Sequence, residues 1–508
     1  MKTARFFAAL AITAVLMAGA ASAQTTQTTL RIGLAEDPDI LDPTLNRTFV
    51  ARIVFASLCD KLVDISPELE VVPQLATDWH WVDDDKGLVM TLREGVKFHD
   101  GETMDAAAVK YSLERHLNLP GSNRKAELGP LQSVDIIDDH TVKLVLDKPF
   151  APLLAQLTDR AGMIVAPKAA EAEGDKFGEH PVCAGPFKFT ERVAQDRIVL
   201  DRFADYWNKD AIHFDRIVYL PIPDATVRLA NLQSGQLDLI ERLAATDLDT
   251  ARKDSRLETA AITSLAYSNI LINTNNGERA KNPLGQDRRV REALEDSIDR
   301  DALNQVVFNG EFTPGNQWEA PTSPWYVTSL PIPPRDVAKA KSLLAVAGAP
   351  HPSFTLMVPN STEPLRMAQV IQSMASEAGF DIKIQATEFA SSLDLAQRGD
   401  FEAYLIGWSG RTDPDGNLYN FVACKAPPAL NSSHYCNPEV DAELDAERTG
   451  GTRAERMAHF AKIAAITLVD RPLIYLNHLK WLYAMTNKLA GFTTYPDGLI
   501  RPQGLALR

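Results

Sequence analysis

The sequence predicts a mixed α/β protein, and two observations carry that prediction. Stretches that alternate apolar and polar residues are interleaved along the whole chain with stretches of helical period. In the C-terminal half the interleaving is regular. "FTLMVP" from Phe354, "FDIKIQATEF" from Phe380 and "FEAYLIGW" from Phe401 read as strands, and residues 365–378 and 391–397 between them read as helices. A strand–helix–strand–helix–strand order of that kind implies a parallel sheet with crossover helices. At 508 residues the chain has room for about three domains at roughly 150 residues each.

In chain order, residues 30–34 form a short opening strand, ended by the two prolines of "EDPDILDP". "LVMTLREGVKFHDG" from Leu88 is a strand that stops at the Asp100-Gly101 turn. Residues 105–119 are helical, and "VDIIDDHTVKLVLDKPF" is a hairpin turning at Asp138-Asp139-His140. Residues 197–202 and 217–220 are strands. "ATVRLANLQSGQLDLIE" gives a helix, a glycine stop and a short strand, and "YSNILINTN" is a strand from Tyr267. Asp287 caps a single helix expected over 288–308, whose apolar stripe is Val290, Leu294, Ile298 and Leu303.

The N-terminus sets the compartment. Lys2 and Arg5 precede an apolar run from Phe6 to Met17, and Ala21-Ser22-Ala23 follows. That pattern is a cleavable secretory signal over 1–23, too short to span a bilayer. No cysteine follows it for lipid attachment. The chain carries a formal net charge of −15, and removing Lys2 and Arg5 makes it more acidic. Such acidity disfavours nucleic acid and anionic membrane surfaces as partners. Four cysteines in an exported protein favour disulfides. Cys424 and Cys436 are close in sequence and pair, which leaves Cys59 with Cys183. No C-x-x-C or paired-histidine pattern suggests zinc.

Catalytic motifs are missing from the string: there is no G-x-S-x-G, P-loop, H-E-x-x-H or dinucleotide fingerprint. Asp413-Pro414-Asp415-Gly416 begins like a calcium loop but lacks the later ligands in register. No cofactor or metal is expected. "GWSGRTDPDG", from Gly407 to Gly416, follows the strand "AYLIGW". Ligands of parallel α/β sheets sit beyond the carboxyl ends of strands, so this loop faces a pocket.

Several segments in order resemble the family 5 extracellular solute-binding proteins, the dipeptide, oligopeptide and nickel receptors of ABC importers. They are "VVPQLATDWHW", "MTLREGVKFHDGETMDAAAVKYSLER", "PVCAGPFKF", "DRRVREALEDSIDRDAL", "DVAKAKSLLAVAG", "IGWSGRTDPDGN" and "YCNPEVDAELD". The resemblance implies a two-lobed type II periplasmic-binding-protein fold with an extra subdomain. Lobe I would span 24–264, with the extra subdomain near 50–182. Lobe II would span 265–480, and 481–508 would return to lobe I. The hinge would lie near 265–273 and 477–485. A monomeric periplasmic receptor would close on a solute and deliver it to a permease and its ATPase, with no catalysis of its own.

In dipeptide-binding members an aspartate after Trp-x-Gly pairs with the peptide amino terminus; here that position is Arg411, of opposite sign. Those relatives also hold the peptide carboxylate with an arginine after the strand matching "LMVP", where this chain reads "NSTEP". The expected solute is therefore peptide-like or opine-like, with an anionic group for Arg411 unless Arg411 pairs internally with Asp413 or Asp415. The other candidate ligand contacts are Trp408, Asp413, Glu36, Tyr267, Asn269, Asn316, Gln317 and Trp318. Cys59 and Cys183 would stiffen a cleft wall. A sugar-conjugate or metal-complex receptor, an exported peptidase and a sensor co-receptor are the alternatives.

Overall fold

A computed structural model describes residues 28–426 and 430–508; the signal segment expected over 1–23 lies outside them. One eleven-stranded sheet runs through the molecule. On one side lie Thr29–Leu34, Arg216–Pro221, Arg197–Arg202, Phe187–Val193 and Leu239–Ile240, the sheet of lobe I. On the other lie Ser353–Pro359, Asp381–Thr387 and Ala403–Trp408, the sheet of lobe II. The lobe II strands pair in parallel, as the alternation requires. Their crossovers are the helices Thr362–Ala378 and Phe389–Gln397. Gly379 ends the first of these at φ 113°, where a side chain would be strained.

Two long antiparallel strands, Leu257–Ile272 and Leu473–Thr486, join the lobes. Residues 267–272 pair with the lobe II strand Ala403–Trp408, while Ala484 and Met485 pair with Leu239–Ile240 of lobe I. Their mutual register slips between Thr263 and Tyr267 and again between Ser268 and Asn269. A slip of this kind leaves ladder groups unpaired and bends the strand. Both slips fall where the chain passes from one lobe to the other.

The extra subdomain has its own four-stranded antiparallel sheet and its own core, which includes Leu62, Met90, Val109, Leu144 and Ala184. The helix Ala106–Asn118 packs on it, capped by Asp105, whose carboxylate accepts from the Ala108 amide at 3.0 Å. Its start moves relative to the expected residue 50: the helix Phe49–Leu58 packs in the lobe I core with Leu30, Ile32 and Tyr219. Nine of the ten residues of that helix are buried, which suits the lobe I interior rather than a peripheral unit. Cys59, just past this helix, is bonded to Cys183, and Cys424 to Cys436. The first bond ties the point where the chain leaves lobe I to the point where it returns. Neither cysteine lines the cleft described below, so it clamps the subdomain's base, not a cleft wall.

The helix expected over 288–308 is two helices, Arg288–Asp296 and Arg300–Phe308. Each has its own aspartate cap. Asp287 accepts from the Arg289 amide and Asp299 from the Ala302 amide, both at 2.8 Å. The second cap stops the first helix, because an N-cap residue is held outside helical geometry. The apolar stripe survives the break, and Val290, Leu294, Ile298 and Leu303 are all buried.

Candidate ligand-binding cleft

Between the lobes lies a cleft of about 1500 Å³, its open mouth included. Lobe I contributes Ala35 and Glu36 from the end of the strand Thr29–Leu34, Phe49 from the first helix, and Arg228 and Arg242. Trp481, on the second of the connecting strands, stacks on Phe49 with ring centroids 4.6 Å apart and planes 3° from parallel. Lobe II contributes Phe389, Tyr404, Ile406, Trp408 and Phe421, and Ser268 and Asn269 come from the first connecting strand. The walls are thus mainly aromatic and aliphatic, with a few polar groups, the composition of a site for a small organic molecule.

The polar groups are concentrated. Arg242 Nη1 donates to Glu36 Oε1 at 2.5 Å, and its Nε lies 3.4 Å from Glu241. Burial pushes the Glu241 carboxyl up, against the pull of Arg242 and Arg228. Burial likewise pushes Glu363 up to about 7, although its Oε1 accepts from the Ala245 amide at 3.4 Å. Arg228 donates from its two Nη atoms to the carbonyls of Ile222, Pro223 and Arg242, while its buried Nε has no partner among the described residues. Two acceptors on cleft residues have no hydrogen-bond partner among the described residues: Glu36 Oε2 and Asn269 Oδ1. Glu36 is 8% exposed and Asn269 2%. A buried acceptor without a donor is costly, and a donor carried by a solute would relieve that cost at both.

The loop after the strand Ala403–Trp408 is held by a residue that sequence reading passed over, Asn417. Its Oδ1 accepts from Trp408 Nε1 at 3.0 Å and from the Arg411 amide at 2.6 Å. Its Nδ2 donates to the Arg411 carbonyl and to Glu319 Oε1. Gly410 is required here, since it has φ 82° and a Cβ would stand 2.3 Å from the Leu265 carbonyl. Asn417 was within sight, at the end of "IGWSGRTDPDGN", but only the fold shows that it ties the loop's two ends.

Of the expected contacts, Trp408, Glu36 and Asn269 line the cleft. Arg411 does not. It is 6% exposed and crosses to the other lobe, with Nε 3.2 Å from Asp159 and Nη2 3.7 Å from Glu127. Its guanidinium also covers the Trp408 ring at 4.5 Å. Nor do Asp413 and Asp415 hold Arg411, because Arg456 takes Asp413 at 2.8 Å and Arg448 takes Asp415 at 2.6 Å. Tyr267 points to the opposite face of its strand, donating to the Asn417 carbonyl at 2.9 Å and packing edge-on to Tyr475. The register slip between Ser268 and Asn269 explains that placement, since under unbroken alternation Tyr267 and Asn269 would share a face. Asn316, Gln317 and Trp318 serve loop packing. Asn316 donates to the Leu330 and Pro331 carbonyls, Gln317 brackets Val327, and Trp318 lies against Phe460.

Arg411 belongs to a buried contact between the lobes. Arg52 of lobe I bonds Asp159 at 2.7 Å and reaches Ser409 of lobe II at 3.0 Å. Burial raises the Asp159 carboxyl, but Arg411, Arg52 and Arg160 overcome it and hold it well below the usual range. Closed contact on this side of the cleft is therefore electrostatic, while its inner walls are apolar.

A fold of two lobes on one continuous sheet, with a solute-sized cleft between them, defines a solute-binding protein. The model of the bacterial extracellular solute-binding proteins, family 5, matches residues 70–428, and the chain belongs to that family. It is 28% identical over 470 residues to the glutathione-binding protein GsiB of Pectobacterium atrosepticum, covering 90% of both chains. AgaA from A. tumefacien R10, solved in complex with agropinic acid, superposes with a TM-score of 0.85 and 27% identity, over 94% of this chain and 99% of that one. DppA from Helicobacter pylori, solved with the peptide STSA, gives 0.86 and 26%, over 95% and 98%. Among the described residues no helix is long and apolar enough to cross a membrane.

Proposed function

We propose that this chain is an exported receptor of an ABC importer. It captures a peptide-like or opine-like solute by closure of the two lobes and presents it to a membrane permease. The relatives' ligands support that class: a peptide for DppA, agropinic acid for AgaA and, by name, glutathione for GsiB. The acidic charge and the signal pattern over 1–23 support a cleaved, periplasmic form. Lobe I, lobe II and the extra subdomain take the boundaries given above, with the subdomain beginning after Cys59. Closure needs only contacts that the open form lacks, and transport energy comes from the ATPase, so the receptor does no chemistry.

The observation that carries the solute class is that the mainly apolar cleft holds two buried acceptors without a donor, Glu36 Oε2 and Asn269 Oδ1, and the Arg242 guanidinium bonded to Glu36 Oε1. An ammonium or amide of the solute meets the acceptors, a carboxylate meets Arg242, and the apolar body packs on Phe49, Trp481 and Trp408. The solute extracted from purified periplasmic protein is identified by mass spectrometry and titrated into Glu36→Gln. A charged hydrogen bond is worth about 1.5–3 kcal/mol, so affinity should fall on the order of 10- to 150-fold. Unchanged affinity removes Glu36 as the anchor.

A further inference from the structure

We infer that Arg47 is a gate that sets how long a solute the cleft accepts; the inference rests on the cleft being the solute site. Beside the cleft runs a second open groove of about 1090 Å³, walled by Asp39 and Ile40 of lobe I, Ser122 and Asn123 of the subdomain, and lobe II. One helix, Phe389–Gln397, separates the two spaces. Phe389, Leu393 and Ala396 line the cleft, while Ala390, Asp394 and Gln397 line the groove. Each set follows helical spacing, so the two spaces lie against neighbouring stripes of the same helix.

Arg47 is the residue that lines both spaces. It stands between them on the lobe I side, with Nη2 2.5 Å from Asp394 Oδ1 and Nη1 3.2 Å from Gln397 Oε1. Its Nε lies 3.8 Å from Asp39. The backbone beneath it is pinned. The Arg47 amide donates to Asp39 Oδ2 at 2.9 Å, and the Asn46 carbonyl accepts from Arg124 and Arg160, each at 3.1 Å. Opening must therefore come from the side chain. Of the contacts it gives up, the one to Asp394 is weak, because Asp394 is 53% exposed and pairs of that kind are solvated. A gate needs that property, a contact that holds a wall in place yet gives way to a competitor.

The competitor's chemistry follows from what Arg47 leaves behind. Asp39, Asp394 and Gln397 Oε1 are acceptors, so a longer solute enters the groove when its tail carries an ammonium or guanidinium to take Arg47's place. A solute with a neutral or acidic tail is stopped at the cleft. Specificity for length then rests on an occupied groove as well as on the cleft's own contacts.

The test is affinity selection of a mixed library of di-, tri-, tetra- and pentapeptides, with and without a terminal lysine. Retained peptides are measured by mass spectrometry for the wild-type chain, Arg47→Ala and Arg47→Lys. Melting curves confirm that all three fold. Arg47→Ala should shift retention to longer peptides, with lysine-tailed ones gaining up to about fivefold over dipeptides, while Arg47→Lys keeps the wild-type preference. The same length distribution for Arg47→Ala and wild type overturns the gate and leaves the solute reading intact. Retention of no peptide by any of the three overturns the peptide-like reading, and the gate with it.

Discussion

Glu319 illustrates how a single buried carboxyl shapes this protein. It is 8% exposed, with Oε1 accepting from Asn417 and Oε2 from Ser323. Burial pushes it up to about 7 from an ordinary 4.5, against the pull of those two donors. Between pH 4.5 and 7 the folded chain holds a proton there that the unfolded chain has lost. Stability therefore falls as pH rises through that window and levels off above it. Glu319→Gln keeps the shape and removes the titration. Its melting temperature should depend less on pH across the window and exceed wild type at pH 8, by on the order of 2–3 kcal/mol of stability at most. An unaltered pH profile would refute the assignment. Residue roles were the least legible part of the sequence. Trp408, Glu36 and Asn269 line the cleft because they stand at or just past strand ends or on the connecting strand. Arg411 was misplaced because its partners, Asp159 and Glu127, lie more than 250 positions away, where no local pattern reveals them. Arg242 and Glu363 carry no motif and become cleft residues only when the lobes meet.

At the scale of elements the sequence was far more informative, because period and capping are local. The parallel strands of lobe II, the hairpin turning at residues 138–140 and the Asp105 and Asp287 caps all stand where local chemistry puts them. The one helix that split did so at a cap, Asp299, whose competing signal is equally local. Register slips in the connecting strands were not legible, since they depend on partners about 200 residues away. The disulfides make a quantitative prediction at this scale. The Cys59–Cys183 bond closes a separation of 124 residues, for which the chain-entropy model gives about 4–5 kcal/mol. Replacing both cysteines with serine should lower the denaturant midpoint accordingly. Non-reduced peptide mapping should recover the Cys59–Cys183 and Cys424–Cys436 links, and free thiols at those positions would contradict the pairing.

The whole molecule is two lobes that share one sheet, and its function depends on how they move against each other. The connecting strands carry both the register slips and cleft residues, Ser268 and Asn269 on one and Trp481 on the other. Bending there changes the cleft directly. Arg411 with Asp159 and Arg52 with Ser409 are contacts from one lobe to the other. Contacts made only in a closed form are what bias closure, and a solute must supply them. Length and the order of the family segments made this architecture legible, whereas the balance between open and closed forms has no counterpart in sequence pattern. Small-angle X-ray scattering tests it most directly. The protein is stripped of bound solute and titrated with the molecule recovered from the periplasmic preparation. The radius of gyration should fall and saturate at one solute per chain, and a radius that stays constant at saturating solute would contradict capture by closure.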